Sequence, residues 1–130
     1  MKSYKIKELI DVNPKSKIKV KDSKNKGEYI FFTSGEKTRF YDGYLCDGKN
    51  IFIATGGKAN FAYHEGKAAY STDCYSIRTK SIVEPKFLYY FLQSKSNLIN
   101  KKMFLGAALK HLQKKQFENI EINLPTLTKQ

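Results

Sequence analysis

Arginine is nearly missing from this chain: Arg39 and Arg78 stand against 22 lysines in 130 residues. Arginine's planar fork suits bidentate reading of guanine, whereas lysine is a flexible point charge suited to phosphate. The bulk of the positive charge is therefore fitted to position a nucleic-acid backbone rather than to read bases. Cysteine is scarce too. Cys46 and Cys74 are too few for a disulfide framework, and the chain reads as a reduced, cytoplasmic one. With His64 and His111 they could formally hold zinc, but no two of the four have close metal-ligand spacing. No apolar run reaches the roughly 18 residues of a membrane span, and the N-terminal MKSYKIKELI lacks a signal peptide's apolar core. No membrane partner is expected.

What is present is a cationic excess on a chain apolar enough to fold. The formal net charge is +12 and the pI about 9.6, with 41% hydrophobic residues, nine Tyr and nine Phe. That composition excludes a disordered polybasic tail, and the length sets one domain over 1–130. The excess points to a polyanion, of which nucleic acid is the commonest. The plain alternative is an assembly protein with lysines that merely solubilise it.

The pattern along the chain predicts an α+β fold: a β-meander or twisted sheet, then short helices, then a closing strand. PKSKIKVKDSKNKGEY (14–29) alternates lysine with Ser, Ile and Val. As a strand it would put Lys15, Lys17, Lys19 and Lys21 on one face, either as a charged ridge or as an edge that blocks aggregation. EYIFFTSG reads as a strand ending at Gly35, before a polar loop over 33–39. Asp42-Gly43 and Asp47-Gly48 mark two turns ahead of a buried strand over 51–55. NFAYH and AAYSTDCYSIRT supply two more strands. At Pro85 the period changes to helical, with Phe87, Leu88, Phe91 and Leu92 on one core-facing stripe. SNLINKKMFL predicts a second helix capped by Ser96 or Asn97. Gly106 breaks it, ALKHLQKKQFENI predicts a short helix, and IEINLP a last strand.

Catalytic patterns are weak. Glu65-Gly66-Lys67 with Asp47, and Glu84-Pro85-Lys86 with Asp73, have the carboxylate–carboxylate–lysine form of a metal-dependent nuclease. Glu-x-Lys recurs by chance in so lysine-rich a chain, however, and the two copies fall on a turn and a helix start. Ser71 has no strained nucleophile turn to join it to Asp73 and His64 or His111. Gly56-Gly57-Lys58 lacks the rest of a P-loop, and no methyl-transfer motif is present. The chain reads as non-catalytic and without a cofactor.

DGKNIFIATGG, KAAYSTDCYSI, PKFLYYFLQS and LGAALKHLQKKQFENIEINLPTLTKQ, in that order, resemble a target recognition domain of a type I restriction-modification specificity subunit. The resemblance covers essentially the whole chain and ends in a Leu-Pro-x-Leu-x-x-Gln exit at Leu124, Pro125, Leu127 and Gln130. It implies a reader of double-stranded DNA that recognises half of a split target. It also implies DNA methyltransferase (M) subunits as partners, with restriction (R) subunits completing the complex. In that family the exit begins a spacer helix. Here the sequence stops at Gln130, so one domain without the spacer is expected.

Two Gly-Lys corners then stand out. Thr55, Gly56, Gly57, Lys58 and Asn60 could bring backbone N–H groups to a phosphate, because glycine puts no side chain in the way. Asn60 could pair with adenine, and Lys58 with guanine or phosphate. The other reading is a hairpin turn with solvated lysines, and it applies to Lys67 at the second corner as well. Lys110 and Lys114, one turn apart on the expected late helix, could face one run of phosphates. Lys37 and Arg39 in the first polar loop are similar candidates. Tyr63 could stack or wedge at the DNA, although aromatics at strand spacing are more often core. A free-standing RNA- or DNA-binding protein is the alternative to the restriction-system reading, with a small metal-dependent nuclease behind it.

Overall fold

The computed structural model describes residues 1–130. Eight strands fill its first part: β1 (Lys2–Lys5), β2 (Ile10–Val12), β3 (Tyr29–Phe32), β4 (Arg39–Tyr41), β5 (Lys49–Ala54), β6 (Phe61–Glu65), β7 (Ala68–Tyr70) and β8 (Cys74–Thr79). Helices α1 (Pro85–Ser94) and α2 (Ser96–Met103) follow. The short strands β9 (Phe104–Leu105) and β10 (His111–Leu112), helix α3 (Lys114–Glu118) and strand β11 (Glu121–Leu124) complete the order. The α+β expectation holds: strands, then helices, then a closing strand.

Strand β5 is the axis of the molecule. Residues 50–54 are buried throughout because both faces are covered, which is why they read as one apolar run instead of alternating. Ile51 and Ile53 join the larger core with Ile77, Leu88, Leu92 and Ile99. Phe52 points the other way, into a smaller core with Cys46, Ala68, Tyr70 and Cys74. Hydrogen bonding sorts the strands into two main sheets. One has the antiparallel order β2-β8-β5-β6; the other, β4-β3-β7, is mixed, with β3 antiparallel to β4 and parallel to β7. The closing strand β11 pairs with β1, Lys2 opposite Leu124, so the two ends of the chain lie side by side. In α1, Pro85 takes the first turn, where its missing N–H costs nothing. Leu88 and Leu92 are fully buried, and Phe87 and Phe91 pack half-buried against the same core.

Four expectations fail locally. AAYSTDCYSIRT is not one strand but two, β7 and β8, placed in different sheets and parted by a turn in which the Cys74 amide donates to Ser71 O (3.1 Å). The lysine-alternating segment is not a strand: residues 14–19 run without regular structure and Val20–Asp22 forms a single 3₁₀ turn. Its alternation lacks an apolar partner stripe, since Val20 is exposed, and its backbone is held by side attachments. The Asn13 amide donates to Ser76 O (2.9 Å), the Thr72 amide to Ile18 O (3.0 Å) and the Tyr70 hydroxyl to Pro14 O. At α2, Lys95 occupies the cap position, Ser96 is already helical, and no side chain caps the end. The late helix is confined to α3, because Leu112 gives its amide to Thr55 O (2.8 Å) instead of to a helical carbonyl. Lys110 and Lys114 therefore do not share a helical face.

Candidate nucleic-acid interface

The corner at 55–60 joins β5 to β6, and four distant segments hold it. Asp73 O accepts from the Thr55 amide (3.1 Å), from Thr55 Oγ1 (2.9 Å) and from the Ser34 hydroxyl. Ser34 Oγ in turn accepts from the amides of Thr55 (3.2 Å) and Gly56 (3.4 Å). Gly57 donates to Lys110 O (2.8 Å), and the Ala59 amide donates to Asn100 Oδ1 on α2 (3.0 Å). The amides of Thr55, Gly56 and Gly57 are thus engaged within the protein, and only those of Lys58 and Asn60 make no intramolecular hydrogen bond. This changes the role of the glycines. Gly57, at φ +83°, turns the chain where a Cβ would be strained, while Gly56 has an ordinary φ and open space around it. The Ser-Thr-Asp segment explains itself in the same network: Ser71 Oγ bonds the Asp73 carboxylate, not a histidine, and Asp73 O is the hub of the corner.

Around this corner the structure gathers most of the candidate side chains. Lys37 and Asn60 line one cleft with an apolar floor of Phe32, Phe52 and Ala62. Lys58 lies 3.5 Å from Glu36, both exposed. Thr55 borders a second cleft together with Lys15 and Lys114, and Lys114 Nζ sits 4.9 Å from the centre of the Tyr75 ring. Three candidates lie apart. Lys67 is at the opposite end of β6, roughly 16 Å of strand from the corner at about 3.3 Å per residue, with Nζ 4.8 Å from the Tyr44 ring centre. Arg39 is occupied: its guanidinium donates to Ser23 Oγ (2.7 Å), Asn25 Oδ1 (2.6 Å) and Ser23 O (2.8 Å), stapling the 20–26 loop to β4. Tyr63 is half-buried beside α1, 6.0 Å from the Tyr89 ring, and burial raises its hydroxyl above the usual tyrosine range.

Charge is concentrated here as well. Residues 14–26 hold six lysines and one aspartate, and residues 101–115 hold five lysines and no carboxylate. These 28 residues carry +10 of the net +12, leaving +2 for the other 102, so the excess is local and not a uniform solubilising coat. The two segments flank the corner: the second supplies the Lys110 carbonyl that holds Gly57, and the first shares the Lys15–Lys114 cleft beside Thr55. Of the 24 basic side chains only Lys24, with Asp42 at 2.5 Å, and Lys58 form ion pairs. Ser34, Asn100, Lys101 and Lys102 escaped the sequence reading. A serine in a loop and an asparagine on a helix carry no signal until their partner, 20 to 40 residues away, is known.

The remaining polar chemistry is dispersed. Cys46 and Cys74 both lie in the smaller core, where burial pushes the Cys46 thiol up to about 11 and the Cys74 thiol further. No three His, Cys, Asp or Glu side chains gather into a metal-holding group. No helix is long and apolar enough to cross a membrane.

The family model for the type I restriction modification DNA specificity domain matches residues 1–130. No curated protein sequence matches the chain. Among solved structures, the S subunit of a type I restriction-modification system from M. genitalium superimposes with a TM-score of 0.78 at 18% identity, covering 93% of this chain and 33% of that one. A structure describing complex assembly and conformational transition of the type I R-M system gives 0.72 at 14% identity, over 98% of this chain and 35% of that one. The HsdS subunit from Thermoanaerobacter tengcongensis gives 0.71 at 15% identity, over 98% and 34%. At such identities the likeness is one of fold, the mixed sheet with its three short helices. The chain spans about a third of the length of these relatives.

Proposed function

Because the chain belongs to the type I restriction-modification DNA specificity domain family, we propose that residues 1–130 form one target-recognition unit that reads duplex DNA at the 55–60 corner. The observation that carries this reading is the gathering of charge: two segments with +10 between them flank a corner that is braced from four sides. The bracing fixes the backbone that carries Asn60 and Lys58, which lowers the cost of ordering the loop on binding. Asn60 pairs with an adenine edge in the major groove, the bidentate partner its amide fits. Lys37, Lys58, Lys110 and Lys114 hold phosphates on either side, which sets register without reading sequence. Arg39 and Tyr63 are assigned to the scaffold, because their polar and aromatic groups are already used inside the protein.

The unit itself performs no chemistry and holds no cofactor. It supplies specificity, in the cytoplasm, to methyltransferase subunits that modify the DNA and to restriction subunits that cut it. Random-duplex selection followed by sequencing tests the reading. A recovered motif that includes adenine is expected; a pool with no enriched sequence sinks it. Competition by single-stranded RNA as strong as by duplex DNA would also count against it.

A further inference from the structure

The lysine-rich strap at 14–21 remains outside the reading corner, and its placement gives it a use. It leaves the β2–β8 edge at Asn13, crosses the 71–73 turn through the Thr72–Ile18 hydrogen bond (3.0 Å), and continues toward β4, where Lys24 bridges to Phe40. The same 71–73 turn carries the Asp73 carbonyl that holds the corner. Lys15, Lys17, Lys19 and Lys21 are all exposed, and none has a carboxylate within ion-pair distance. The backbone beneath them is anchored at three points by Asn13, Ile18 and Tyr70, and internally by the bond from the Ile18 amide to Ser16 Oγ (3.0 Å). A solubilising loop needs no such anchoring. Fixing four like charges side by side is unfavourable in the free protein and becomes favourable against a polyanion.

Resting on the DNA-reading function proposed above, we propose that Lys15, Lys17, Lys19 and Lys21 form a second, sequence-independent contact that tracks the DNA backbone beyond the bases read at the corner. The strap continues the reading surface through the cleft that Lys15, Thr55 and Lys114 line together. Residues 14–19 run without regular structure and Lys21 lies in the Val20–Asp22 turn, so the four lysines share one short anchored segment and not an evenly spaced row. Four unpaired cations on one anchored segment meet phosphates of a passing strand without needing a base contact.

The test compares two variants of the whole chain, each lacking four exposed lysines. One carries Lys15→Ala, Lys17→Ala, Lys19→Ala and Lys21→Ala. The other carries Lys2→Ala, Lys7→Ala, Lys80→Ala and Lys129→Ala, at the opposite end of β8 from the corner and around the paired chain ends. Affinity is measured against salt on a random-sequence duplex and on the duplex selected above. The strap variant is expected to lower the log–log salt slope by about 3–4, at roughly 0.9 per lost phosphate contact, with the preference for the selected motif unchanged. The control should keep the parent slope to within about one contact. Equal slopes for the two variants overturn the proposal, and so does a strap variant that loses the motif, since that makes the strap a base reader. If the parent itself fails to bind duplex DNA, the reading of the corner falls instead, and the two failures are told apart.

Discussion

The two glycine–lysine corners of this molecule are alike in sequence and unlike in place. Each ends a strand of the β5–β6–β7 run, each has a glycine at positive φ (Gly57 at +83°, Gly66 at +115°), and each presents an exposed lysine. At Gly66 the local partner is the end of the same hairpin: its amide donates to Gly48 O (2.8 Å), and Lys67 lies over Tyr44. At Gly57 the partners come from residues 34, 73, 100 and 110–112, and they bring the charged segments with them. A turn becomes a candidate site through what the rest of the chain packs against it. The difference is carried by tertiary hydrogen bonds, and it can be tested there.

The largest effect is expected at Gly106, which shapes the loop that docks on the 55–60 corner. Its φ is +154°, and a Cβ there would stand 2.3 Å from Leu109 O, inside any real contact distance. Gly106→Val should cost about 2–4 kcal/mol, the range of substitutions that force backbone apart. Urea unfolding measures the loss. Binding to the selected duplex should weaken even at temperatures where the variant stays folded, because the loop carries the Lys110 carbonyl that holds Gly57. Full affinity in a destabilised variant would show that the corner keeps its shape without its brace.

Next is the side chain proposed to read. Asn60→Ala should remove roughly 1–3 kcal/mol of discrimination at a single base position, leaving binding to random duplex nearly intact. Selection repeated with the variant shows whether one column of the motif becomes degenerate. A motif unchanged at every position assigns the reading to another residue of the Lys37–Asn60 cleft.

Gly57→Ala and Gly66→Ala then set corner against corner. Both place a Cβ at positive φ, so both should cost about 1–2 kcal/mol of stability. Only Gly57→Ala should weaken DNA binding, and Gly56→Ala, at an ordinary φ in open space, should do neither. Equal binding losses at 57 and 66 would erase the distinction between the corners.

What the sequence makes legible follows the same division. Strands β5, β6 and β8, helix α1 and strand β11 stand out because their signals are local: apolar runs, Gly turns and a Pro at a helix start. β1 is invisible locally, since KSYK has no apolar face and exists as a strand only because Ile122 and Leu124 arrive beside it from the far end of the chain. The 14–21 strap mimics strand periodicity with lysines, but its hydrogen bonds go to Ser76, Thr72 and Tyr70, which alternation cannot foretell. ALKHLQKK has the spacing of a helix until Leu112 gives its amide to Thr55, and Leu109 ends up exposed. For the candidate site, the corner and its side chains are legible, because Gly-Gly-Lys is a local sign. Its brace is not, because Ser34 and Asn100 acquire meaning only across 20 to 40 residues. The charge falls between: its amount is plain in the composition, and its division between two segments is plain by position. That those segments meet at Thr55 is a fact of the fold alone.

The smallest effects make the finest comparison, since Lys58 and Lys67 are both exposed and differ only in their neighbours. Lys58 pairs with Glu36 at 3.5 Å across the solvent-facing rim, and exposed pairs of that kind contribute about 0–1 kcal/mol. Lys67 caps the Tyr44 ring, an exposed cation–π contact of about 0.5–1 kcal/mol. Stability therefore predicts that Lys67→Ala is at least as costly to the fold as Lys58→Ala. DNA binding predicts the reverse order. Lys58→Ala should lower the salt slope by about one and weaken all duplexes alike, as the loss of a single phosphate contact does. Lys67→Ala should leave slope and affinity at the parent values. Glu36→Gln sharpens the pair further: it frees Lys58 from its internal partner and removes a negative charge beside the corner, so it should tighten binding to every duplex without changing the motif. Salt titrations of the three variants on one random-sequence duplex decide the matter. If Lys67→Ala lowers the slope as much as Lys58→Ala does, the DNA runs the length of β6, and the braced corner is one contact among several instead of the centre of the surface.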